Sequence, residues 1–461
     1  MPDSRPRDRL RPQDRFFLDQ EAPGSTMNVG ALVTVEGTNH DAFLIDLTKL
    51  FASKIHLLPR LRQRLATVPL AGASAVWVDD AAFDLSARIR MAPLHQVPNG
   101  AALLAFAGAI VSEPLDRSGP LWDVAVIPRT GNGQSAVVLR WHHALIDGMS
   151  GIEIGKLLLS ADRTYAPPPP EPWTPDPAPD DNALVAETLA LQAVDTFRTA
   201  AQRTARWADR DEDRISTGAL LQGLGTFAEL GTAPPNPFRP ARPGARRYAA
   251  AAIPEADLQG IRRRFDVSLE AVILSIVAGA TSRLLLARGT ELDTLRVFIP
   301  RTVAFRSRSA ELGNHATFNV VDLPVGPVPE ANRLHDIAQS LERVRHSHQA
   351  EAVTAIADLI ASGPSLPGPV NQTLARWFGA QNLVHAVVSY MRGPRRPLYL
   401  AGRAHLGTCP ILPRSNGVGL LFGVVSLGGT TNFGLVADPL AVPDLEFLAA
   451  ALRHVGRELR S

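Results

Sequence analysis

Four residues with chemical potential lie close together: His142 and His143 are adjacent, Asp147 follows four residues on, and Gly148 is next to it. An unperturbed imidazole titrates at about 6.5, so near neutral pH it is mostly neutral and able to accept a proton. One histidine of the pair therefore suits a general base, and Asp147 could hold the loop by pairing with an arginine. Two histidines and a carboxylate are also metal-ligand types, which is the competing reading. Hydrogen-bonded core histidines are the third. Ser150, close by, lacks the turn pattern that surrounds a nucleophilic serine.

The flanking elements bear on that choice. Ala136 to Trp141 is a β-branched and aromatic run that reads as a buried strand. Beyond Gly148, the residues Ile152, Ile154, Leu157, Leu158 and Leu159 suit a helix running into the core. The histidines thus sit at a strand-to-helix junction. Adjacent side chains of an extended segment point to opposite faces, so only one of the two is expected to face a given cavity. The same geometry makes convergence on one metal ion awkward, no Cys or His cluster lies nearby, and no metal is expected. Gly148 permits a backbone conformation or close approach that a side chain would forbid.

The chain bounds the remaining possibilities. Its 461 residues are enough for two domains with sizeable cores, and a hydrophobic fraction of 45% with 20% charged residues is that of a soluble globular protein. Basic and acidic residues number 47 and 45, a balance that argues against nucleic acid as a partner. Lysine occurs only at Lys49, Lys54 and Lys156, so nearly all the positive charge is arginine. Cys409 is the single cysteine, which excludes an intramolecular disulfide and reads as structural. Residues 1–15 are charged, without the apolar core of a secretory signal. Residues 269–287 are the most membrane-like stretch, but Glu270 and Arg283 interrupt it and favour a buried core helix. A cytoplasmic protein is expected, with peripheral contact to the inner face of the membrane or to a lipid droplet left open. Oligomeric state is not legible.

In chain order, residues 11–36 predict a short helix anchored by Phe16, Phe17 and Leu18, a Pro-Gly turn and a strand. Helical spacing recurs over 42–55 and 101–112, and a strand over 123–127. The proline density of 165–181 marks an extended, semi-rigid linker. A basic amphipathic helix over 182–210 follows, reading as a crossover helix or one lying on a membrane, and then a second linker near 232–240. Strand 247–253, helix 254–264, strand 295–300, an arginine-rich helix over 333–350 carrying His346 and His348, a hairpin over 418–437 and a closing helix complete the pattern.

The run His142-His143-Ala144-Leu145-Ile146-Asp147-Gly148 resembles the motif of the CoA-dependent acyltransferase superfamily. Further landmarks resemble its wax ester synthase/diacylglycerol acyltransferase branch. These are the opening at 11–36, Leu58-Pro-Arg-Leu-Arg-Gln-Arg-Leu65, Pro120-Leu121-Trp122, Val277-Ala-Gly-Ala280, and Met391-Arg-Gly-Pro-Arg-Arg-Pro-Leu-Tyr-Leu-Ala-Gly402. The likeness runs from about residue 11 to 458. It implies an α/β fold of two chloramphenicol acetyltransferase-like domains, with mixed sheets flanked by helices and an active-site tunnel at their interface. An amino-terminal domain would span 1–164, a linker and crossover helix 165–240, and a carboxy-terminal domain 241–461.

The implied activity is transfer of a long-chain acyl group from acyl-CoA to diacylglycerol or a long-chain alcohol, without a cofactor. In that reading His143 is the base, His142 supports it, and Asp147 is structural. Pro120, Leu121 and Trp122 would shape the tunnel. Asp147 would pair with Arg306, or with Arg301 if the loop register slips. One departure stands out: Glu270 and Ala271 occupy the places of the family's Asn-Asp pair. A non-catalytic lipid-binding paralogue, or a related enzyme making another ester or amide, is the alternative.

Overall fold

The computed structural model describes residues 10–22, 24–68, 75–93, 100–130, 133–145, 148–178, 180, 182, 184–186, 235–240, 244–302, 316–346, 384–414 and 417–461. Most of the basic helix expected over 182–210, the Arg306 loop, His348, Asp147 and part of the second linker lie outside these residues.

The first half begins with α1 (Pro12–Gln20), which has proline in its first turn, where a missing N–H breaks no helical bond. Next come β1 (Asn28–Glu36) and α2 (His40–Lys54), the latter started by the Asn39 side chain accepting from the Ala42 N–H. A hairpin, β2 (Gln63–Thr67) and β3 (Ala75–Asp79), precedes α3 (Leu85–Arg88) and β4 (Ile89–Met91). Then follow α4 (Gly100–Ser112), β5 (Trp122–Thr130), β6 (Gln134–His142), α5 (Gly148–Leu158) and β7 (Leu159–Ser160). The second half contains β8 (Arg247–Pro254), α6 (Glu255–Phe265), α7 (Leu269–Ala287), β9 (Thr294–Thr302), β10 (Ala316–Pro324) and α8 (Glu330–His346). It ends with β11 (Ala386–Arg392), β12 (Tyr399–Leu400), β13 (Arg403–Ile411), β14 (Leu420–Leu427), β15 (Thr430–Ala437) and α9 (Leu445–Arg460).

Two mixed sheets organise these elements. The first has the order β4-β5-β6-β1-β13-β12-β7 and the second β10-β9-β11-β14-β15-β8. Strand β4 runs parallel to β5, and β11 parallel to both β9 and β14; the other pairings are antiparallel. This is the α/β architecture with mixed sheets that the resemblance implies.

Layering follows from where the apolar faces go. Phe43, Leu47 and Phe51 of α2 pack with Ile154 and Leu158 of α5 against Val124, Val126 and Val137 of the first sheet. Helix α4 lies between the sheets, where Leu104, Ala107 and Val111 join Val138 of the first and Leu421 and Val436 of the second. Helix α7 fills the outer core of the second sheet with Val272, Ile276 and Leu284. It is long and apolar enough to cross a membrane, yet 83% of that window is buried, as expected of a core helix.

Strand β13 is among the elements that sequence pattern did not show. It comes from the second half of the chain but pairs antiparallel with β1, Gly30 opposite Ile411 and Thr34 opposite Gly407. Its residues, Arg-Ala-His-Leu-Gly-Thr-Cys-Pro-Ile, have no apolar alternation; most are partly buried, Leu406 is exposed, and Pro410 and Ile411 are buried. Against the second sheet it rests on Gly423 and Gly434, which face each other across β14 and β15. A Cβ on Gly434 would stand 1.9 Å from the Pro410 carbonyl oxygen, so only glycine admits this approach. Cys409 lies in the same strand, and burial pushes its thiol up to about 12, which makes it unreactive at neutral pH.

The proline-rich segment is extended, as its composition predicts, and it is also bound to the first half of the molecule. The Lys54 ammonium lies 5.0 Å from the Tyr165 ring centroid. Arg62 covers Trp173 at 4.5 Å, and Trp173 meets Phe83 edge-on. Asp176 donates its N–H to Asp79, and Leu184 is buried with Val68, Val76 and Val78 of the hairpin.

Candidate active site

Strand β6 ends at His142, and the chain then turns sharply through 143–145. Leu145 N–H donates to the His142 carbonyl at 2.9 Å, closing the turn. The same turn is braced from within, because the Ala144 N–H donates to His142 Nδ1 at 3.0 Å. A backbone N–H can only donate, so Nδ1 carries no proton and the His142 proton resides on Nε2. That nitrogen lies 3.1 Å from Glu21 Oε1. His142 is 2% exposed, with Nδ1 bonded to the turn and Nε2 facing Glu21.

His143 is placed differently. Its N–H donates to the Met27 carbonyl at 2.9 Å, which fixes the backbone beside the start of β1. Its half-buried ring is stacked face to face on Phe17 of α1, with centroids 3.8 Å apart and planes 11° from parallel. A stack covers the face of an imidazole and leaves the in-plane direction of its nitrogens for hydrogen bonding. The two histidines therefore have separate surroundings, as strand alternation predicts.

Glu21 holds the arrangement together, and sequence reasoning did not single it out. Oε1 accepts from the Met27 N–H at 2.8 Å as well as facing His142, and Oε2 accepts from Arg117 at 2.6 Å. Burial raises the pKa of this carboxyl, but the neighbouring His142 ring, the Met27 N–H and Arg117 outweigh it and hold the group at about 2. The residue stands in the quoted opening segment, yet nothing local marks a glutamate that meets a histidine far along the chain.

Behind the turn, Leu121 and Trp122 of the Pro120-Leu121-Trp122 triplet are packed in the core. Leu121 is fully buried, and its carbonyl accepts from the His142 N–H at 2.9 Å. Trp122 stacks on Phe51, and its Nε1–H donates to the Leu61 carbonyl at 2.7 Å, satisfying the indole inside the core. Two residues before His142, Arg140 forms a buried pair with Asp123 and donates to the Ile110 and Glu113 carbonyls at the end of α4. Asp147 and Arg306 lie outside the described residues, Gly148 opens α5, and Arg301 falls in β9 with its backbone paired to Thr317. No group of three or more metal-ligating side chains occurs among the described residues.

The model of the wax ester synthase/diacylglycerol acyltransferase catalytic domain matches residues 10–273, and that of the family's C-terminal domain matches 312–460. The chain belongs to this family. It is an acyltransferase. A Mycobacterium tuberculosis protein provisionally named as a diacylglycerol O-acyltransferase is 29% identical over 432 residues, covering 89% of this chain and 88% of its own. Another from the same species, also provisionally so named, is 28% identical over 466 residues, with 98% and 90% covered. Among solved structures, the wax ester synthase/diacylglycerol acyltransferase of Marinobacter aquaeolei VT8 superposes with a TM-score of 0.69 at 21% identity, covering 98% of both chains. The first condensation domain of the CDA synthetase superposes at 0.60 and 15% identity, over 99% of this chain and 97% of that one. Both likenesses are of fold.

The start of α7 accommodates the acyltransferase's departure at Glu270 and Ala271. Ser268 caps the helix by accepting from the Ala271 N–H at 3.1 Å, and Ala271 is fully buried. Glu270 lies in the first helical turn, where a negative charge is favoured, and reaches Arg345 of α8 at 3.8 Å. The helix start is thus intact without the Asn-Asp pair.

Proposed function

We propose that this acyltransferase moves a long-chain fatty acyl group from acyl-CoA to the hydroxyl of diacylglycerol or of a long-chain alcohol, with His143 as general base. The observation that supports it is the division of labour between the histidines: His142 is spent on the fold, while His143 sits on a braced turn with its ring held by stacking. In this reading the acceptor hydroxyl gives its proton to His143 as its oxygen attacks the thioester carbon. The tetrahedral oxyanion then collapses, the carbon–sulfur bond breaks, and the departing sulfur takes the proton from the imidazolium. A positioned base contributes about 10²–10⁴-fold, and holding both substrates in line supplies much of the rest. No acyl-enzyme is needed, since the thioester is already activated.

Asp147 is structural in this proposal, paired with Arg306, and Gly148 permits the turn into α5. A lipid acceptor would place the working surface at the inner face of the membrane or on a lipid droplet. Purified protein given labelled palmitoyl-CoA, with diolein or hexadecanol as acceptor, tests the reaction. Turnover is expected, His143→Ala should abolish it without unfolding the protein, and His142→Ala should lower both stability and rate. Turnover by folded His143→Ala would remove the base assignment. Saturable lipid binding without turnover by the natural protein would point to the binding paralogue.

A further inference from the structure

We infer that Glu21 is a positioning residue for acyl transfer, acting through two backbone hydrogen bonds and a close contact with His142 that together set the turn bearing His143. This inference rests on the assignment of His143 as the base. The circuit can be followed contact by contact. Glu21 Oε1 accepts from the Met27 N–H at 2.8 Å, and the Met27 carbonyl accepts from the His143 N–H at 2.9 Å. His143 follows His142, whose Nδ1 accepts from Ala144 at 3.0 Å and whose Nε2 faces Glu21 Oε1 at 3.1 Å, which returns the path to its origin.

One carboxylate oxygen thereby ties three segments: the turn after α1, the start of β1 and the end of β6. The same short stretch carries Phe17, whose ring covers the face of His143. The backbone of the base and the plane of its ring are thus both referred to residues 17–27. Within this circuit Glu21 reaches His143 through the Met27 backbone, and its influence on the reaction runs through position. The other oxygen, Oε2, meets Arg117, which is 53% exposed, and a pair so open to water contributes little.

This division separates reach from charge. Glutamine has the reach of glutamate and keeps an acceptor at Oε1, whereas aspartate keeps the charge but draws the oxygen back by one methylene. The experiment therefore compares Glu21→Gln, Glu21→Asp and Arg117→Ala with the natural protein, measuring kcat and KM for palmitoyl-CoA together with thermal melting. His143→Ala is run alongside. Glu21→Gln and Arg117→Ala should stay within a fewfold of the natural kcat. Glu21→Asp should lose of order tenfold to a hundredfold in kcat with little change in KM, the scale at which a small misplacement of a reacting group is felt. Rescue by the neutral isostere is the outcome that a purely electrostatic or purely structural role would not produce.

Glu21→Asp turning over as fast as the natural protein, or Glu21→Gln no better than Glu21→Asp, would overturn the inference. If His143→Ala is inactive while all three other variants are fully active, the base stands and the positioning role fails. If folded His143→Ala is active, the base assignment itself fails.

Discussion

Glu21 is subject to burial, which favours its protonated form, and to His142, Met27 and Arg117, which favour the charged form and prevail at a pKa of about 2 against an ordinary 4.5. The sign of the consequence follows from linkage. A carboxyl depressed in the folded state stabilises it fully above its unfolded pKa, and that contribution is lost as pH falls through the folded one. The natural protein should therefore lose an increment of stability between about pH 4.5 and 2 that Glu21→Gln does not have to lose. Urea midpoints of the two proteins, measured from pH 6 downwards, should converge across this window; a constant separation would show that the carboxylate is not tied to the fold. The histidine pair was legible because its spacing is local and its residue types are rare. Glu21 was not, since its partners Met27 and His142 become neighbours only when β1 and β6 pair with Asn28 opposite His142.

Helix α4 shows how a single glycine sets the spacing of elements. A Cβ on Gly108 would stand 2.2 Å from the Tyr248 ring of β8, in the layer where helix and second sheet meet. The Tyr248 hydroxyl donates to the Gly108 carbonyl at 3.1 Å, so ring and backbone cannot part without losing that bond. Gly108→Ala should cost about 1–3 kcal/mol through overpacking. Gly260→Ala, in α6 where nothing lies within 4 Å, should instead stabilise by about 0.8–1 kcal/mol through helix propensity. Chemical denaturation of both variants checks the contrast; equal effects would contradict it. Helices α2, α4, α7 and α9 were legible because their apolar spacing or length is set by burial on one side or all round. The proline-rich segment was legible as extended, but its anchorage through Trp173 to Arg62 and Phe83 was not, because cation–aromatic contacts leave no periodic trace.

At the scale of the molecule, the two sheets meet where β13 leaves the second half of the chain and lies against β1. The family landmarks announced the paired architecture; the exchange of a strand was hidden because β13, Arg-Ala-His-Leu-Gly-Thr-Cys-Pro-Ile, mixes small, polar and apolar residues without a period of two. Thr34 and Gly407, joined by a hydrogen bond from the threonine hydroxyl to the glycine carbonyl, stand 373 residues apart.

That separation has a consequence for how the protein comes into being. Ribosomes add about 5–20 residues per second, so β1 waits roughly 20–75 s after its own synthesis before its neighbour exists. During that interval the β1 backbone groups on one side have no strand to bond, the condition that invites pairing with another chain. A polypeptide ending at residue 164 should accordingly collect in the insoluble fraction, and supplying residues 384–461 as a separate chain should return part of it to solution. Solubility of the truncated chain alone would refute this. Crowded nascent chains face a further hazard: the β13 of one copy fits the β1 of another as well as its own, and the product of that error is a strand-swapped dimer. Slowing synthesis between residues 164 and 403 should raise the yield of such dimers, measurable by size-exclusion chromatography of freshly made protein.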